Sequence, residues 1–274
     1  MNAQIAMNTV TIKPTPLLDK LRLISRVGFA GIGLWMDEIQ EYLHGGGRKP
    51  IGELLAEYAL TPVEMQLIRT WQYLAGSERE HAFNRARDFF AKVRELGIHC
   101  PVVAVSSEEV GEIGEATEDF RRLCGLAHEF GIDVAFEFTG FAQQINNVKT
   151  AWDIVGGADC PNGGLLIDTF HFVKGGSTIE DLERVPMEKV LLVHINDVRS
   201  LPQEIKQQSR RFRFFPGEGE APLKEFVGCL AKNGYNGFYC CEIFNERYWL
   251  EDPLEILKRS KQSMEDLLRS AIGG

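Results

Sequence analysis

The sequence predicts a (β/α)8 barrel, in which eight parallel strands form a closed barrel and helices cover its outside. Eight short apolar runs have the character of strands buried on both faces, and segments with helical spacing separate them. The 274 residues provide about 34 residues per strand and helix, and consecutive right-handed units of that size close economically into a barrel. An open, doubly wound sheet is the alternative.

The strands are predicted where short apolar runs lie between turn-forming residues. Aliphatic and β-branched residues predominate in them, as is typical of a parallel sheet covered on both faces. In chain order the predicted strands are Ile5–Ile12, Gly31–Trp35, Val63–Ile68, Val102–Val105, Val134–Phe138, Leu165–Asp168, Val190–Asn196 and Phe238–Glu242.

The helices are predicted where apolar residues recur every three or four positions. In the first helix this stripe contains Leu17, Leu21 and Ile24, and Gly28 follows the last turn, where a C-cap requires a positive φ. In chain order the predicted helices are Pro16–Val27, Ile51–Tyr58, Glu78–Leu96, Thr117–Phe130, Val148–Ile154, Ile179–Arg184, Pro222–Lys232 and Pro253–Leu268.

A single domain over residues 1–274 is predicted, because no low-complexity tail or Pro/Ser-rich linker interrupts the alternation of strands and helices. One connection is unusually long, Asp197–Ala221 between the seventh strand and the next helix. It contains several arginines and the motif PGEGE. A loop of this length inside a compact domain is usually a lid or a binding loop, and we expect that role here.

Composition and charge exclude several classes of protein. The chain is 44% hydrophobic and 25% charged, as in ordinary globular proteins. Its net charge of −9 disfavours binding to nucleic acid phosphates, so no nucleic acid partner is expected. No segment has the apolar length of a membrane span or the pattern of a secretory signal. Six cysteines without a C-x-x-C pair favour reduced thiols and a cytoplasmic location.

Polar residues that end predicted strands are the candidates for function, because the active sites of such barrels lie at the C-terminal ends of the strands. The last four strands each end in one: Glu137, Asp168, His194 and Glu242. A buried carboxylate costs several kcal/mol unless it is paired or metal-bound, and an ion pair with a helix Lys or Arg is the alternative for each residue alone. Three carboxylates and an imidazole together predict one divalent metal ion, Mn²⁺, Mg²⁺ or Co²⁺, with Zn²⁺ as a further alternative.

These residues also resemble a known family. With D-x-x-H at Asp168–His171 and PGEGE at Pro216–Glu220, they resemble the xylose isomerase-like barrels of the sugar phosphate isomerase/epimerase superfamily, over essentially the whole chain. That superfamily includes ketose epimerases, hydroxypyruvate isomerase, inosose dehydratase and 3-dehydroshikimate dehydratase. Segments 151–171, 209–223 and 234–245 are most similar to the 3-dehydroshikimate dehydratase barrels. In contrast, His194 is similar to the histidine that the epimerases have as their ligand on the seventh strand. The two-domain bacterial dehydratases have glutamine at this position.

The resemblance implies a reaction that removes a proton from a carbon next to a carbonyl. Glu137 and Glu242 are similar to a pair of family glutamates that bind the metal and flank the substrate carbon, so acid and base roles are expected of both. Asp168 and His194 are expected to be ligands only. His171 lies three residues after Asp168, where the chain leaves the sixth strand, and is expected to contact a substrate oxygen or to transfer a proton. A capped loop histidine is the alternative. The metal would stabilise the enediolate charge.

Further polar residues are expected to bind the substrate, a small polyhydroxylated carbonyl compound. Arg69 and Arg199 follow predicted strands closely, and their guanidinium groups can hold a carboxylate, a phosphate or hydroxyl groups. Arg213 belongs to an arginine-rich run that forms either lid contacts or a solvated surface. Asn196 shares the direction of the seventh-strand histidine by two-residue alternation, and Gln143 follows the fifth strand. Both can donate hydrogen bonds to substrate hydroxyl groups, and the alternative for each is a place in a loop or behind the site residues.

The sequence therefore predicts a metal-dependent isomerase or epimerase of a sugar, a sugar acid or a sugar phosphate. The alternative is a lyase that removes water from 3-dehydroshikimate or an inosose, since it shares the metal, the base and the first step. A barrel that binds a sugar without catalysis is a third hypothesis. The glycine clusters Gly45–Gly47 and Gly175–Gly176 lack phosphate-binding patterns, so no nucleotide cofactor is expected. Association into a homo-oligomer is left open.

Overall fold

Eight parallel strands form a closed barrel in the computed structural model, which describes residues 4–273. Each strand pairs with its neighbour in sequence, and β8 closes the barrel by pairing with β1. The strands are β1 (Gln4–Asn8), β2 (Gly31–Trp35), β3 (Thr61–Ile68), β4 (Val102–Val105), β5 (Val134–Glu137), β6 (Gly163–Asp168), β7 (Val190–Ile195) and β8 (Phe238–Cys241). The predicted (β/α)8 architecture is confirmed.

Helices cover the outside of the barrel and also form parts of the loops. In residues 4–273 they are α1 (Leu17–Val27), α2 (Met36–His44), α3 (Ile51–Glu57), α4 (Gly76–Glu95), α5 (Ile113–His128), α6 (Val148–Ala158), α7 (Thr169–Lys174), α8 (Ile179–Glu183), α9 (Ile205–Arg211), α10 (Leu223–Lys232) and α11 (Pro253–Ile272). The helices α2, α7 and α9 are absent from the sequence-based prediction. Gly28 ends α1 with a φ of 89°, as its C-cap position predicts.

The first strand is shorter than predicted. The apolar run Ile5–Ile12 continues past Asn8, but β1 ends there and residues Thr9–Ile12 form a 3-10 turn. The Asn8 side-chain oxygen accepts a hydrogen bond from the Val10 N–H at 3.0 Å. A side chain that satisfies a backbone donor in this way stabilises a turn instead of a strand. All four residues of the turn are buried, which explains why Val10 and Ile12 are apolar.

The long connection after β7 is a folded structure and not an irregular loop. It contains α9, and the buried carboxylate of Asp197 accepts backbone hydrogen bonds at 2.8 to 3.0 Å from both ends of the connection. The donors are Val198, Gly217, Gly219 and Ala221. The residues 197–221 are therefore held together by one acidic side chain, and the motif PGEGE provides two of the donors.

Two groups of buried side chains form the core. The larger group lies between the strands and the surrounding helices. The smaller group comes from alternate positions of seven strands and fills the inside of the barrel: Ala6, Val63, Val103, Ala135, Leu166, Leu192 and Cys240. Among the described residues, no helix is both long enough and apolar enough to cross a membrane.

Candidate functional site

Strand alternation places four predicted residues at one end of the barrel interior. Successive side chains on a strand point to opposite faces, so a residue two positions after an interior side chain also points inward. The interior residues Ala135, Leu166, Leu192 and Cys240 are each followed two positions later by a polar residue. These four residues are Glu137, Asp168, His194 and Glu242. The same periodicity that builds the core therefore builds the site.

The four side chains converge on one point. All are buried, and one ligand-type atom from each lies within 4.8 Å of those of the others. His194 Nδ1 is 3.3 Å from Glu242 Oε2 and 3.6 Å from Asp168 Oδ2. It is 4.0 Å from Glu137 Oε1. Three carboxylate oxygens and one imidazole nitrogen thus surround a common position at the C-terminal end of the strands.

The two ring nitrogens of His194 have different surroundings. Nδ1 faces the three carboxylates and has no hydrogen-bond partner among the described residues, although it is buried. Nε2 lies 2.9 Å from both carboxylate oxygens of Glu64. Burial lowers the pKa of His194, but the charges of Glu242 and Glu64 outweigh it and raise the pKa well above the usual value. An orphaned nitrogen beside three carboxylates fits the donor set of a divalent cation.

Glu64 is a buried site residue that the sequence-based prediction missed. It lies within β3, and Asn8 and Gln66 donate to its carboxylate at 2.7 and 2.9 Å. A signal was present in the segment VEMQLI, where Glu64 and Gln66 are two residues apart inside an otherwise apolar run. That spacing puts both side chains on one face of a strand, here the interior.

Arg213 reaches the site from the connection after β7. The side chain is buried, and its Nη1 lies 2.7 Å from both Asp168 Oδ2 and Glu242 Oε2. Its Nε donates to the Ser209 carbonyl in α9 at 2.8 Å, which fixes the position of the guanidinium group. Of the two sequence-based alternatives for this arginine, the solvated surface is therefore wrong. Arg213 also lines a cavity that opens above the four converging side chains.

The three carboxyl groups of the site differ in their ionisation. Burial, followed by the charge of Glu242, raises the pKa of Glu137 to about 8. Burial also disfavours ionisation of Asp168, but Arg213 and His194 outweigh it and hold the Asp168 pKa below its usual value. The Glu242 pKa is likewise low, because His194 and Arg213 outweigh burial. Glu137 is thus the carboxyl group that takes up a proton most readily.

His171 lies in the first turn of α7 and lines the cavity. Asp168 caps this helix, since its Oδ1 accepts from the His171 N–H at 3.3 Å. The Nδ1 atom of His171 is 3.0 Å from the Gly140 N–H and accepts from it. Burial lowers the His171 pKa to about 4, and Arg213 adds to the effect against the opposing charge of Asp168. The ring is therefore neutral near pH 7, with its proton on Nε2.

A cavity of about 1190 Å³ opens above these side chains. Glu137, Glu242 and His171 lie among its lining residues. Aromatic side chains form part of its wall: Trp35, Phe141, Phe244 and Trp249. The volume is slightly larger than that of most small-molecule sites, and the wall combines these aromatic side chains with converging polar and charged groups.

Residues 21–267 match the family described as the xylose isomerase-like TIM barrel. The chain belongs to this family. The predicted family resemblance is thereby confirmed, and the match covers all strands except the first.

Named relatives of this family member include two kinds of enzyme. A 3-dehydroshikimate dehydratase of Pseudomonas aeruginosa is 29% identical over 250 residues, which cover 89% of this chain and 38% of that protein. The chain thus spans well under half the length of this relative. An inosose isomerase of Bacillus velezensis is 25% identical over 264 residues, or 93% of each chain. A crystal structure of the IolI protein with a bound zinc atom superposes with a TM-score of 0.88 at 24% identity, over 99% of this chain and 100% of that one.

Three of the five residues expected to bind substrate are not at the cavity of this family member. Asn196 is buried beneath the site, where its Nδ2 donates to both carboxylate oxygens of Asp168 at 3.2 Å. Arg199 is exposed and donates through Nε to the Glu218 carbonyl at 2.5 Å. Gln143 is exposed and does not line the cavity. The short distance of each from a strand end was not sufficient to bring it to the cavity.

The other two residues expected to bind substrate do line the cavity. Arg69 and Arg213 are both in its wall, together with Arg210 and Arg211 from the last turn of α9. Within residues 4–273, Arg69 and Arg210 form no ion pair, whereas Arg213 is paired with Asp168 and Glu242. The cavity wall therefore includes two guanidinium groups without an ion pair, together with the acidic side chains of Asp37, Glu41 and Glu109.

Proposed function

We propose that the protein is a divalent-metal-dependent isomerase or epimerase of a small polyhydroxylated carbonyl compound. The observation that carries the proposal is the buried cluster of three carboxylates around the orphaned Nδ1 of His194. Charges buried in this way are strongly destabilising unless a cation compensates them, and Arg213 contacts only two of the carboxylates. The inosose isomerase relative supports the reaction class.

The residues that would hold the metal are Glu137, Asp168, His194 and Glu242. Oxygen-rich ligation with one nitrogen suits Mn²⁺, Mg²⁺ or Co²⁺, and Zn²⁺ also accepts such ligands. When bound, a divalent cation would stabilise the negative charge that develops on the substrate oxygen as a proton leaves the neighbouring carbon. The zinc bound in the IolI structure supports a divalent metal in this chain.

Glu137 and Glu242 are the groups proposed to move the proton. Both line the cavity and approach the site from different strands, so one can take a proton from one face of the substrate carbon and the other can return it to the opposite face. The raised pKa of Glu137 makes its carboxylate a stronger base than that of Glu242. His171 is proposed to donate its Nε2–H to a substrate oxygen, since its Nδ1 already accepts from Gly140.

A dehydratase is the second candidate function, and the unpaired arginines favour it. Arg69 and Arg210 line the cavity without an ion pair among the described residues, and a guanidinium group binds a carboxylate with two parallel hydrogen bonds. 3-Dehydroshikimate has a carboxylate, whereas an inosose has none. The 3-dehydroshikimate dehydratase of Pseudomonas aeruginosa supports this candidate, although the chain spans 38% of that protein.

The test combines metal analysis with two assays of the same metal-loaded protein. Near-stoichiometric metal is expected in protein purified without chelator. With inososes and ketoses in D₂O, incorporation of deuterium next to the carbonyl, followed by NMR, is the expected sign of an isomerase. With 3-dehydroshikimate, loss of water at unchanged metal content would identify the dehydratase instead. Failure to bind added Mn²⁺, Mg²⁺, Co²⁺ or Zn²⁺ would contradict both candidates.

We also propose that the protein acts in the cytoplasm. All six cysteines are free, and Cys124, Cys160, Cys229, Cys240 and Cys241 are buried. Burial raises the pKa of Cys241 to about 12, so this thiol stays protonated and unreactive. Unpaired cysteines of this kind are typical of a reducing compartment.

A further inference from the structure

We propose that Glu64 determines which nitrogen of His194 binds the metal, and thereby sets the metal affinity of the site. The inference rests on the metal site proposed above. It concerns a residue that does not line the cavity and so does not touch the substrate. Glu64 is therefore a positioning residue, which acts through His194.

The contact between the two side chains fixes the histidine proton. A carboxylate only accepts hydrogen bonds, and both oxygens of Glu64 lie 2.9 Å from His194 Nε2. Nε2 must therefore carry a proton. In a neutral ring the lone pair is then on Nδ1, the nitrogen that faces Glu137, Asp168 and Glu242. A hydrogen bond to a carboxylate also makes the coordinating nitrogen more basic.

The neighbours of Glu64 keep it in this orientation. Asn8 Nδ2 donates to Oε1 at 2.7 Å, and Gln66 Nε2 donates to Oε2 at 2.9 Å. The Asn8 amide is itself oriented, because its oxygen accepts from the Trp35 Nε1–H at 2.8 Å. Each oxygen of Glu64 thus faces one amide N–H in addition to the shared His194 Nε2. An NH₂ group in place of either oxygen would therefore face another N–H donor.

The barrel leaves space for this carboxylate at a glycine. A Cβ atom on Gly33 of β2 would overlap Glu64 Oε1 and would lie 2.9 Å from Asn8 Nδ2. No larger residue fits at position 33 without displacing Glu64. The interior at this level is therefore shaped around the acidic side chain.

A second metal site at Glu64 is the competing explanation, since Glu64, His194 and Cys240 also offer ligand-type atoms within 4.8 Å of one another. The contacts contradict it. Amide N–H groups from Asn8 and Gln66 point at the carboxylate, and such donors stabilise an anion but repel a cation. Nε2 lies at hydrogen-bond distance from both oxygens, which leaves no space for an ion between them.

The experiment measures Zn²⁺ affinity by competition with a chromophoric chelator in the wild type and in Glu64→Gln. The variant keeps the shape, but in either orientation its NH₂ group meets the Asn8 or the Gln66 amide. Zn²⁺ binding is expected to weaken by about 10- to 100-fold, as is usual when the partner of a metal-bound histidine is removed. Asp119→Asn is the matched control, because Asp119 is a buried carboxylate of α5 that pairs with Arg79 away from the cluster. Its Zn²⁺ affinity is expected to equal that of the wild type.

The outcomes separate this inference from the function proposed above. If the wild type binds no Zn²⁺, the metal site itself is wrong. If the wild type binds Zn²⁺ and Glu64→Gln binds it equally well, only the role of Glu64 is overturned. Should the variant fail to fold, ¹⁵N NMR of Zn²⁺-loaded wild type decides: a proton on Nε2 and coordination through Nδ1 are expected, and the reverse arrangement overturns the inference.

Discussion

Single side chains of the proposed site are expected to have separable tasks, and the clearest case is Glu242. It combines a position in the cavity wall with contacts to His194 and Arg213. We predict that Glu242→Gln weakens metal binding by more than about 100-fold, since removing a ligand should exceed the 10- to 100-fold effect of removing a ligand's hydrogen-bond partner. Turnover should fall with it. Metal titration and steady-state kinetics check this, and retention of both properties would remove Glu242 from the site.

His171 should show the opposite combination, because it contacts the cavity but not the point on which the carboxylates converge. We predict that His171→Phe lowers turnover by about 100-fold or more while the metal content stays unchanged. Phe preserves the packing against Phe141 and Phe170, whose rings lie 5.6 and 5.4 Å from the imidazole. Elemental analysis and kinetics of the same preparation are the measurement. Loss of metal would instead make His171 part of the metal shell.

The residues of the site differ in how visible they are in the sequence. Glu137 and its three partners end apolar runs, and a polar residue at that place is a local signal. Glu64 lies inside a strand, and its partner His194 is 130 positions away. Only a two-residue spacing with Gln66 marks it. Arg213 was visible as an arginine, but its direction depends on how the whole connection after β7 folds.

At the scale of elements, the connection 197–221 is organised by Asp197. Its carboxylate holds four backbone N–H groups, and this arrangement positions the chain that carries Arg213. We predict that Asp197→Ala exposes the connection to limited proteolysis, because the N–H groups lose their acceptor. Asp197→Asn should have an intermediate cleavage rate, since one acceptor oxygen remains. Mass spectrometry of the fragments is the measurement, and wild-type resistance in Asp197→Ala would show that other contacts hold the connection.

Two of the three helices that the sequence-based prediction lacks, α7 and α9, are short. The helix α7 begins at Thr169, directly after Asp168, which serves as strand end, helix cap and site residue at once. The helix α9 is short, and its segment IKQQSRR has one apolar residue, so no apolar stripe reveals it. Both are stabilised by contacts with distant parts of the chain, which periodicity within a short segment does not contain.

At the scale of the molecule, the inside of the barrel determines stability. Leu166 is fully buried in the interior group, and its removal leaves a cavity that neighbouring strands cannot fill. We predict that Leu166→Ala lowers the free energy of unfolding by about 2 to 5 kcal/mol. Urea unfolding followed by circular dichroism is the measurement. Leu250→Ala is the control, because Leu250 is 89% exposed and its loss should change stability by less than about 0.5 kcal/mol.

The overall fold was predictable because the alternation of strands and helices extends along the whole chain. Errors of a few residues at individual ends, as at Asn8, do not change that pattern. The convergence of Glu137, Asp168, His194 and Glu242 was predictable for the same reason, since parallel strands end at one face of the barrel. The cavity and its unpaired arginines required the structure, because loops of different strands meet there.

The way Asp197 ties both ends of its connection together has a consequence for protein engineering. The Asp197 carboxylate binds both ends of residues 197–221, which also contain Arg213. No residue of this segment belongs to the group of side chains that fills the barrel interior. We predict that such a segment can be exchanged between family members as one unit. A chimera that receives residues 197–221 as a whole should keep its barrel folded and the new connection resistant to proteolysis, whereas a shorter graft that omits Asp197 should be cleaved.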